Sequence, residues 1–218
     1  MSRIRTAHGD FDAAVLFLIR SSLCMRLLFS NSCAIIDSTK IRGAGVPGES
    51  RLSMIILEKY SEEDFPLYAQ LVYNEQAMNM NLGRVFTPDE AESFFQMMLA
   101  CNSSGSTQGF YKVLLRQDEK TEYIGMGAMN WNDEYNAVEI EYMLLPEYWN
   151  HGYGRALVQH MLEIIGSSDE QSDIAAVTDP ANRYSQRILE HEGFVFVEQF
   201  INYDGEAAQL YKKQRSLN

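Results

Sequence analysis

Cysteine is scarce in this chain: Cys24, Cys33 and Cys101 are the only three in 218 residues, and no two form a C-x-x-C pair. That excludes a disulfide-stapled miniature fold and a cysteine zinc site. It fits a reducing compartment, so a cytoplasmic location is the expectation. Long apolar runs are missing too. The run Ala13 to Ile19 near the start falls far short of the ~20 residues a membrane-spanning helix needs. Arg20 and Arg26 break up the stretch after it, so no membrane partner is expected. Positive charge is short in the larger part of the chain. Residues 54–218 hold eleven Lys/Arg against twenty-six Asp/Glu. A phosphate backbone is a poor partner for such a surface, and no nucleic acid is expected. The acidity either attracts a cationic small molecule or only keeps the protein soluble. Histidine is sparse, and His151 and His160, nine apart, do not share one helix face, so no metal site is expected. The remaining balance of apolar and charged residues suits one globular domain with an appendage.

Residues 1–53 differ from the rest. They are basic, with seven Lys/Arg and four Asp/Glu, rich in serine, and end in Gly43-Ala44-Gly45-Val46-Pro47-Gly48. A signal peptide needs a longer apolar stretch and a better cleavage site than Ser32-Cys33-Ala34. Asp10, Asp12 and Asp37 argue against a transit peptide. The segment reads as a flexible extension outside the domain, with a misassigned start as the alternative. The domain itself is expected over 54–218, where Met54-Ile55-Ile56-Leu57 opens a strand-like run.

From Met54 the elements alternate. A strand over 54–59 precedes a helix that starts at the acids Glu62-Glu63-Asp64 and runs to about Ala77. Thr87-Pro88-Asp89-Glu90 carries a cap, a proline at the first helical position and a capping-box glutamate, so a second helix starts there. Three strands come after it, over 110–116, 123–131 and 137–145, separated by turn residues at 118–120 and 132–134. A helix over about 152–165, a strand over 174–177 and a helix over about 182–191 come next, the last stopped by Gly193. Two strands, 194–203 and 207–212, are joined by Asp204-Gly205, a two-residue hairpin signal.

The informative stretch runs from Glu139 to Leu157. A strand ends at Pro146, a short turn comes next, and a helix starts among glycines at Trp149-Asn150-His151-Gly152-Tyr153-Gly154-Arg155. A helix start presents unpaired N–H groups and the positive end of the helix dipole. Glycine lets an anion approach that backbone closely. The same pattern also suits a connector that binds nothing. It is no Walker A loop, since it lacks a Gly-Lys-Ser/Thr, and it lacks the third glycine of a dinucleotide fingerprint.

Here the sequence resembles the GNAT N-acetyltransferase superfamily, whose pyrophosphate loop reads Gln/Arg-x-x-Gly-x-Gly/Ala at the start of the helix after the fourth strand. Gly152 and Gly154 match both glycines. Trp149 replaces the Gln/Arg, which resembles the branch acetylating ribosomal-protein N-termini and related small amines, whose loop commonly begins Tyr-Trp. A second block, Asn182-Arg183-Tyr184-Ser185 with Gly193-Phe194, is similar to the family's Asn-x-x-Ser/Ala…Gly-Phe helix. The resemblance covers about 54–213.

The resemblance implies an α/β fold: a mixed sheet splayed between its fourth and fifth strands and flanked by helices, with acetyl-CoA in the gap as co-substrate. The backbone of Met143, Leu144 and Leu145 would hold the pantetheine arm. The N–H groups of Asn150, His151, Gly152, Tyr153, Gly154 and Arg155 would hold the pyrophosphate, and Asn182 would bond the cofactor or the loop. The reaction would be direct attack of a primary amine (a protein N-terminus, a polyamine or another small amine) on the thioester, by a monomer or a homodimer.

Such chemistry needs a deprotonated amine. Glu139 and Glu141, two apart on one strand face, are the candidate bases, with water and a purely structural role as alternatives. The family often places a Tyr acid seven residues after the Asn; this chain has Leu189 there. Ser185, one helical turn after Asn182, is the candidate donor to the leaving thiolate, unless it only bonds the helix backbone. Tyr142, Tyr148 and Tyr153 read as packing or cofactor-flanking rings, and Met78, Met80, Met97 and Met98 as core or acceptor-side residues. The loss of the Tyr keeps open a catalytically silent module that binds an acyl-CoA or a protein partner.

Overall fold

The computed structural model describes the strands Ile4–Thr6, Gly9–Phe11 and Ala44–Gly45, and residues 53–79, 81–103, 105–167, 172–202 and 205–214. The strands are β1 (Ile4–Thr6), β2 (Gly9–Phe11), β3 (Ala44–Gly45), β4 (Ser53–Lys59), β5 (Gly109–Gln117), β6 (Lys120–Asn132), β7 (Ala137–Leu144), β8 (Asp173–Thr178), β9 (Val195–Ile201) and β10 (Ala207–Lys213). The helices are α1 (Phe65–Val72), α2 (Glu75–Asn79), α3 (Pro88–Asn102), α4 (Tyr153–Ser167) and α5 (Arg183–His191). β1 and β2 pair with each other, and the main sheet has the order β3-β4-β5-β6-β7-β8-β10-β9.

Every pairing in the main sheet is antiparallel except one. β7 and β8 run parallel through three residue pairs, Ala137↔Asp173, Val138↔Ile174 and Glu139↔Ala175. Beyond Glu139 the strands part. Ala176, Val177 and Thr178 continue on β10, while Ile140–Leu144 stay paired with β6. The sheet is therefore mixed and splayed in its middle. A bulge at Val113/Leu114 bends β5 against β6 at the level of Gly125 and Leu144, the far end of the splayed stretch. Gly125 is needed there: a Cβ would lie 2.2 Å from Met143 O, so only glycine lets β6 lie so close to β7.

Helices cover both faces. α4 buries Ala156, Leu157, Met161, Ile164 and Ile165 against Ile55, Val113, Val138 and Ile140, the spacing of one helical stripe. On the other face α1, α2 and α3 bring Tyr68, Leu71, Met78, Phe94, Phe95 and Met98 onto Phe110, Met126 and Ala128. Thr87 and Glu90 form the expected reciprocal cap of α3. Arg84 grips the Glu90 carboxylate at 2.6 and 2.7 Å. Its hydrogen bonds hold the Glu90 carboxyl below the usual carboxylate range, with burial opposing.

Two local expectations are corrected. The single helix to Ala77 is broken: after a 3-10 turn over Glu62–Asp64, α1 ends at Val72 and α2 starts at Glu75. Asn74 is the cause, since its Oδ1 accepts from Ala77 N and caps a new helix instead of continuing the old one. The two-residue turn at Asp204-Gly205 is also replaced. Ile201 pairs with Ala207, and residues 202–206 join the strands, closed by Asn202 N donating to Glu206 O; Asp204 itself is outside the described residues.

Most of residues 1–53 lie outside the described residues, and so does most of the expected extension. Of that segment, Ala44–Gly45 pairs with Met54 and Ile55 at the sheet edge. A chain beginning at Met54 is expected to keep its Tm and its CoA affinity, because a two-residue pairing is a small part of the sheet. Thermal melts and CoA titration check this. A large loss in either would mean that residues 1–53 are part of the domain and not an extension of it. Among the described residues no helix is long and apolar enough to cross a membrane.

Candidate functional site

The splay opens into a cleft of about 470 Å³ that reaches from one sheet face to the other. Its walls are Ile140–Leu144 of β7, Ala176–Thr178 of β8, the start of α4, the start of α5, and side chains of α1, α2 and α3. Leu145 N–H donates to Ile124 O at 2.8 Å. Main-chain groups alternate sides along a strand, so those of Met143 and Leu145 face β6, and those of Tyr142 and Leu144 face the splay. Trp149 Nε1 donates to Leu144 O at 2.8 Å and ties the end of β7 to the turn. This accounts physically for the tryptophan at that position.

The turn has two left-handed residues, Asn150 (φ 63°) and Gly152 (φ 82°). Alternating handedness turns successive N–H groups toward one point, an arrangement that suits an anion. The first helical bond of α4 is Ala156 N to Gly152 O, so the N–H groups of Tyr153, Gly154 and Arg155 precede the ladder. A Cβ at Gly152 would meet nothing within 4 Å, so the space over the turn is open. Asn150 and Gly154 line the cleft. The other side chains of the turn point elsewhere. Tyr153 is buried, its hydroxyl accepting from Gln117 Nε2 at 3.0 Å and its ring beside His151. Arg155 Nε donates to Glu192 at 2.7 Å, which fixes α4 to the end of α5. An anion would therefore meet main-chain N–H groups here rather than these side chains.

On α5 the cap is Asn182, whose Oδ1 accepts from Ser185 N at 3.1 Å. Asn182 and Ser185 line the cleft, as does the buried Leu189. Across from them stands Tyr142, which the sequence offered only as a packing or cofactor-flanking ring. Its hydroxyl is buried without a hydrogen-bond partner among the described residues. Burial raises its pKa, and the Ser185 hydroxyl, close but outside bonding geometry, moderates the shift.

Glu139 and Glu141 lie on the face covered by α1, α2 and α3, and both line the cleft. Their environments differ. Glu139 is only 5 % exposed and takes a 2.8 Å bond from Asn132 Nδ2. Burial, then repulsion from Glu141, pushes its pKa well above the usual carboxylate range, against the Asn132 bond. Glu141 is half-buried. Of the methionines, Met78 lines the cleft, Met97 and Met98 pack in the α1–α3 cluster, and Met80 is outside the described residues.

The raised Glu139 pKa has a stability consequence. A folded-state pKa above the unfolded value stabilises the fold fully below the unfolded pKa of ~4.3, and that contribution is lost as pH rises. Glu139→Gln mimics the protonated acid and does not titrate. Its stability relative to the parent is expected to grow between pH 5 and pH 8 and to stay flat below pH 4. Chemical denaturation across that range checks it; a pH-independent difference would mean that Glu139 is ionised in the fold.

Residues 54–195 match the acetyltransferase (GNAT) domain family. Solved structures with the same fold include the GNAT-family acetyltransferase from Bacillus anthracis (18% identity, 73% of this chain and 94% of that one, TM-score 0.59). The spermidine N-acetyltransferase from Vibrio cholerae in complex with CoA and spermine is similar at 17% identity (73% and 94% covered, TM-score 0.56). The ribosomal L7/L12 alpha-N-protein acetyltransferase RimL in complex with CoA is similar at 16% identity (78% and 97% covered, TM-score 0.60). At these identities the structures show the fold alone. Comparison with curated proteins gives no match. The matched family model, which spans the splayed sheet and the turn before α4, carries the assignment: this chain belongs to the GNAT acetyltransferase family.

Proposed function

We propose that this chain transfers an acetyl group from acetyl-CoA to a primary amine by direct attack. One observation carries the reading: a single cleft joins the left-handed turn at Asn150–Gly154, the splay-facing strand at Tyr142 and Leu144, and the carboxylates of Glu139 and Glu141. The pyrophosphate sits over the N–H groups of the turn, and the pantetheine arm pairs with the main chain of Tyr142 and Leu144. Asn182 holds the start of α5 against the arm.

The chemistry divides among few groups. Glu141 takes the proton of the incoming ammonium, directly or through water, so that a lone pair can attack the thioester carbonyl. Glu139, whose pKa is raised by burial and then by the Glu141 charge, is the weaker candidate for that role. The attacking nitrogen gives up its second proton to water, the C–S bond breaks, and the departing thiolate takes a hydrogen bond from Ser185 Oγ. Low-identity structures of the same fold bind spermine or act on a ribosomal protein.

Direct attack requires both substrates in the cleft at once. Initial rates measured against acetyl-CoA at several amine concentrations are expected to give intersecting double-reciprocal lines. Parallel lines would point to an acetyl-enzyme and sink the direct-attack reading. Leu189, where the family often has its Tyr acid, favours the second reading of a silent acyl-CoA-binding module; tight CoA binding with no turnover would establish it.

A further inference from the structure

The acceptor half of the cleft carries an uneven chemistry. The described side chains around the cleft include four carboxylates, Glu139, Glu141, Asp179 and Glu206, and no lysine, arginine or histidine. The wall supplied by α1, α2 and α3 is different again. It is built from Tyr68, Val72, Met78 and Phe94, with Phe86 from the loop before α3, all buried in the apolar cluster behind them, and the Tyr68 hydroxyl is its buried polar atom.

Each feature excludes a class of acceptor. An acceptor with its own carboxylate or phosphate would lose water beside like charges and meet no cation among the described lining residues. A free amino acid is therefore a poor fit. A polyamine presents further ammonium groups along its length. Laid against the α1–α3 wall they would lose hydration to apolar side chains without a counter-charge there. A single ammonium with an apolar body meets neither penalty. Its nitrogen reaches the carboxylates of β7, and its body removes the apolar wall from water.

We infer that the acceptor is a monoamine with an apolar, uncharged body, of the arylalkyl or branched-alkyl type, seated with its body on the α1–α3 wall and its nitrogen toward Glu141. This rests on the acetyl-transfer reading of the same cleft. It narrows the acidity of the chain from a general attraction for cations to a preference for one positive charge on a hydrophobic frame.

The test uses three amines on the full chain with acetyl-CoA: phenethylamine; phenylalanine, which adds only a carboxylate; and spermidine, which has no apolar body. Acetylated product is measured by mass spectrometry. The expected kcat/KM for phenethylamine exceeds that for phenylalanine by about 100-fold or more and that for spermidine by about 10-fold or more. Equal or better use of phenylalanine or spermidine overturns the inference and leaves the transferase reading standing. Calorimetric titration of each amine into CoA-loaded protein reads the same ranking without catalysis. If no amine turns over, phenethylamine binding ahead of the other two keeps the acceptor inference while the catalytic reading falls. A flat or reversed binding order overturns the inference there too.

Discussion

Glu141→Gln is expected to lower the rate of acetyl transfer near neutral pH by roughly 10²–10⁴-fold while CoA still binds, because the amide keeps the shape and loses the basicity. An amine bound as ammonium has no lone pair, so the base should govern the acidic limb of the pH–rate profile. Much of the loss should return at high pH, where the amine arrives neutral. Glu139→Gln should behave differently. Burial and repulsion already hold Glu139 toward its protonated form, so its amide should cost far less activity. Ser185→Ala gives a third pattern: a lower rate that high pH does not rescue, since the leaving thiolate has lost a donor. The three pH–rate profiles side by side check the assignment. If Glu141→Gln keeps a near-normal profile, the base is water or Glu139, and if Ser185→Ala is silent, that serine only belongs to the helix.

Gly152→Val is the second large effect. The residue sits at φ 82° with open space over it. A branched side chain there strains the backbone by ~1–3 kcal/mol and fills the approach to the N–H groups. CoA affinity is expected to fall by about 1–3 kcal/mol, or roughly 5- to 150-fold in Kd. Gly154→Val should weaken CoA binding for a steric reason. Its Cβ would stand 3.3 Å from Ile188 Cδ1 and would face the cleft that Gly154 lines. Gly83→Val is the control. It has a similar φ of 70° and open space, but lies in the loop between α2 and α3 and not in the turn before α4, so it should cost stability without changing CoA affinity. Calorimetry on the folded variants reads all three. Unchanged affinity in both Gly152→Val and Gly154→Val would remove the turn from the binding site.

The sequence carried much of this because its signals are local. The cap at Thr87, the stop at Gly193 and the glycines of the turn each act within a few residues, and each is where the pattern put it. The alternating strands and the stripe of α4 were legible for the same reason. What was not legible depends on contacts across the fold. Asn74 has the same local character whether it continues a helix or caps a new one, and packing decides. The parting of β7 from β8 after Glu139 is a matter of pairing distant in sequence. Glu139 and Glu141 look alike two apart on a strand; only the fold buries one beside Asn132 and leaves the other half-exposed. Tyr142 gave no signal, because an aromatic in a strand is ordinary and its unpartnered hydroxyl appears only once α5 lies across from it.

We propose that the cleft holds acetyl-CoA and hands its acetyl group to an amine. The most direct measurement is a single turnover: protein in excess over acetyl-CoA, one primary amine added, free thiol and acetylated amine quantified together. Equal amounts of the two products are expected from the parent, and both are expected to fall together in Gly152→Val at protein concentrations below its raised Kd. Bound CoA with no thiol released above the rate without amine, across a broad set of amines, would contradict it.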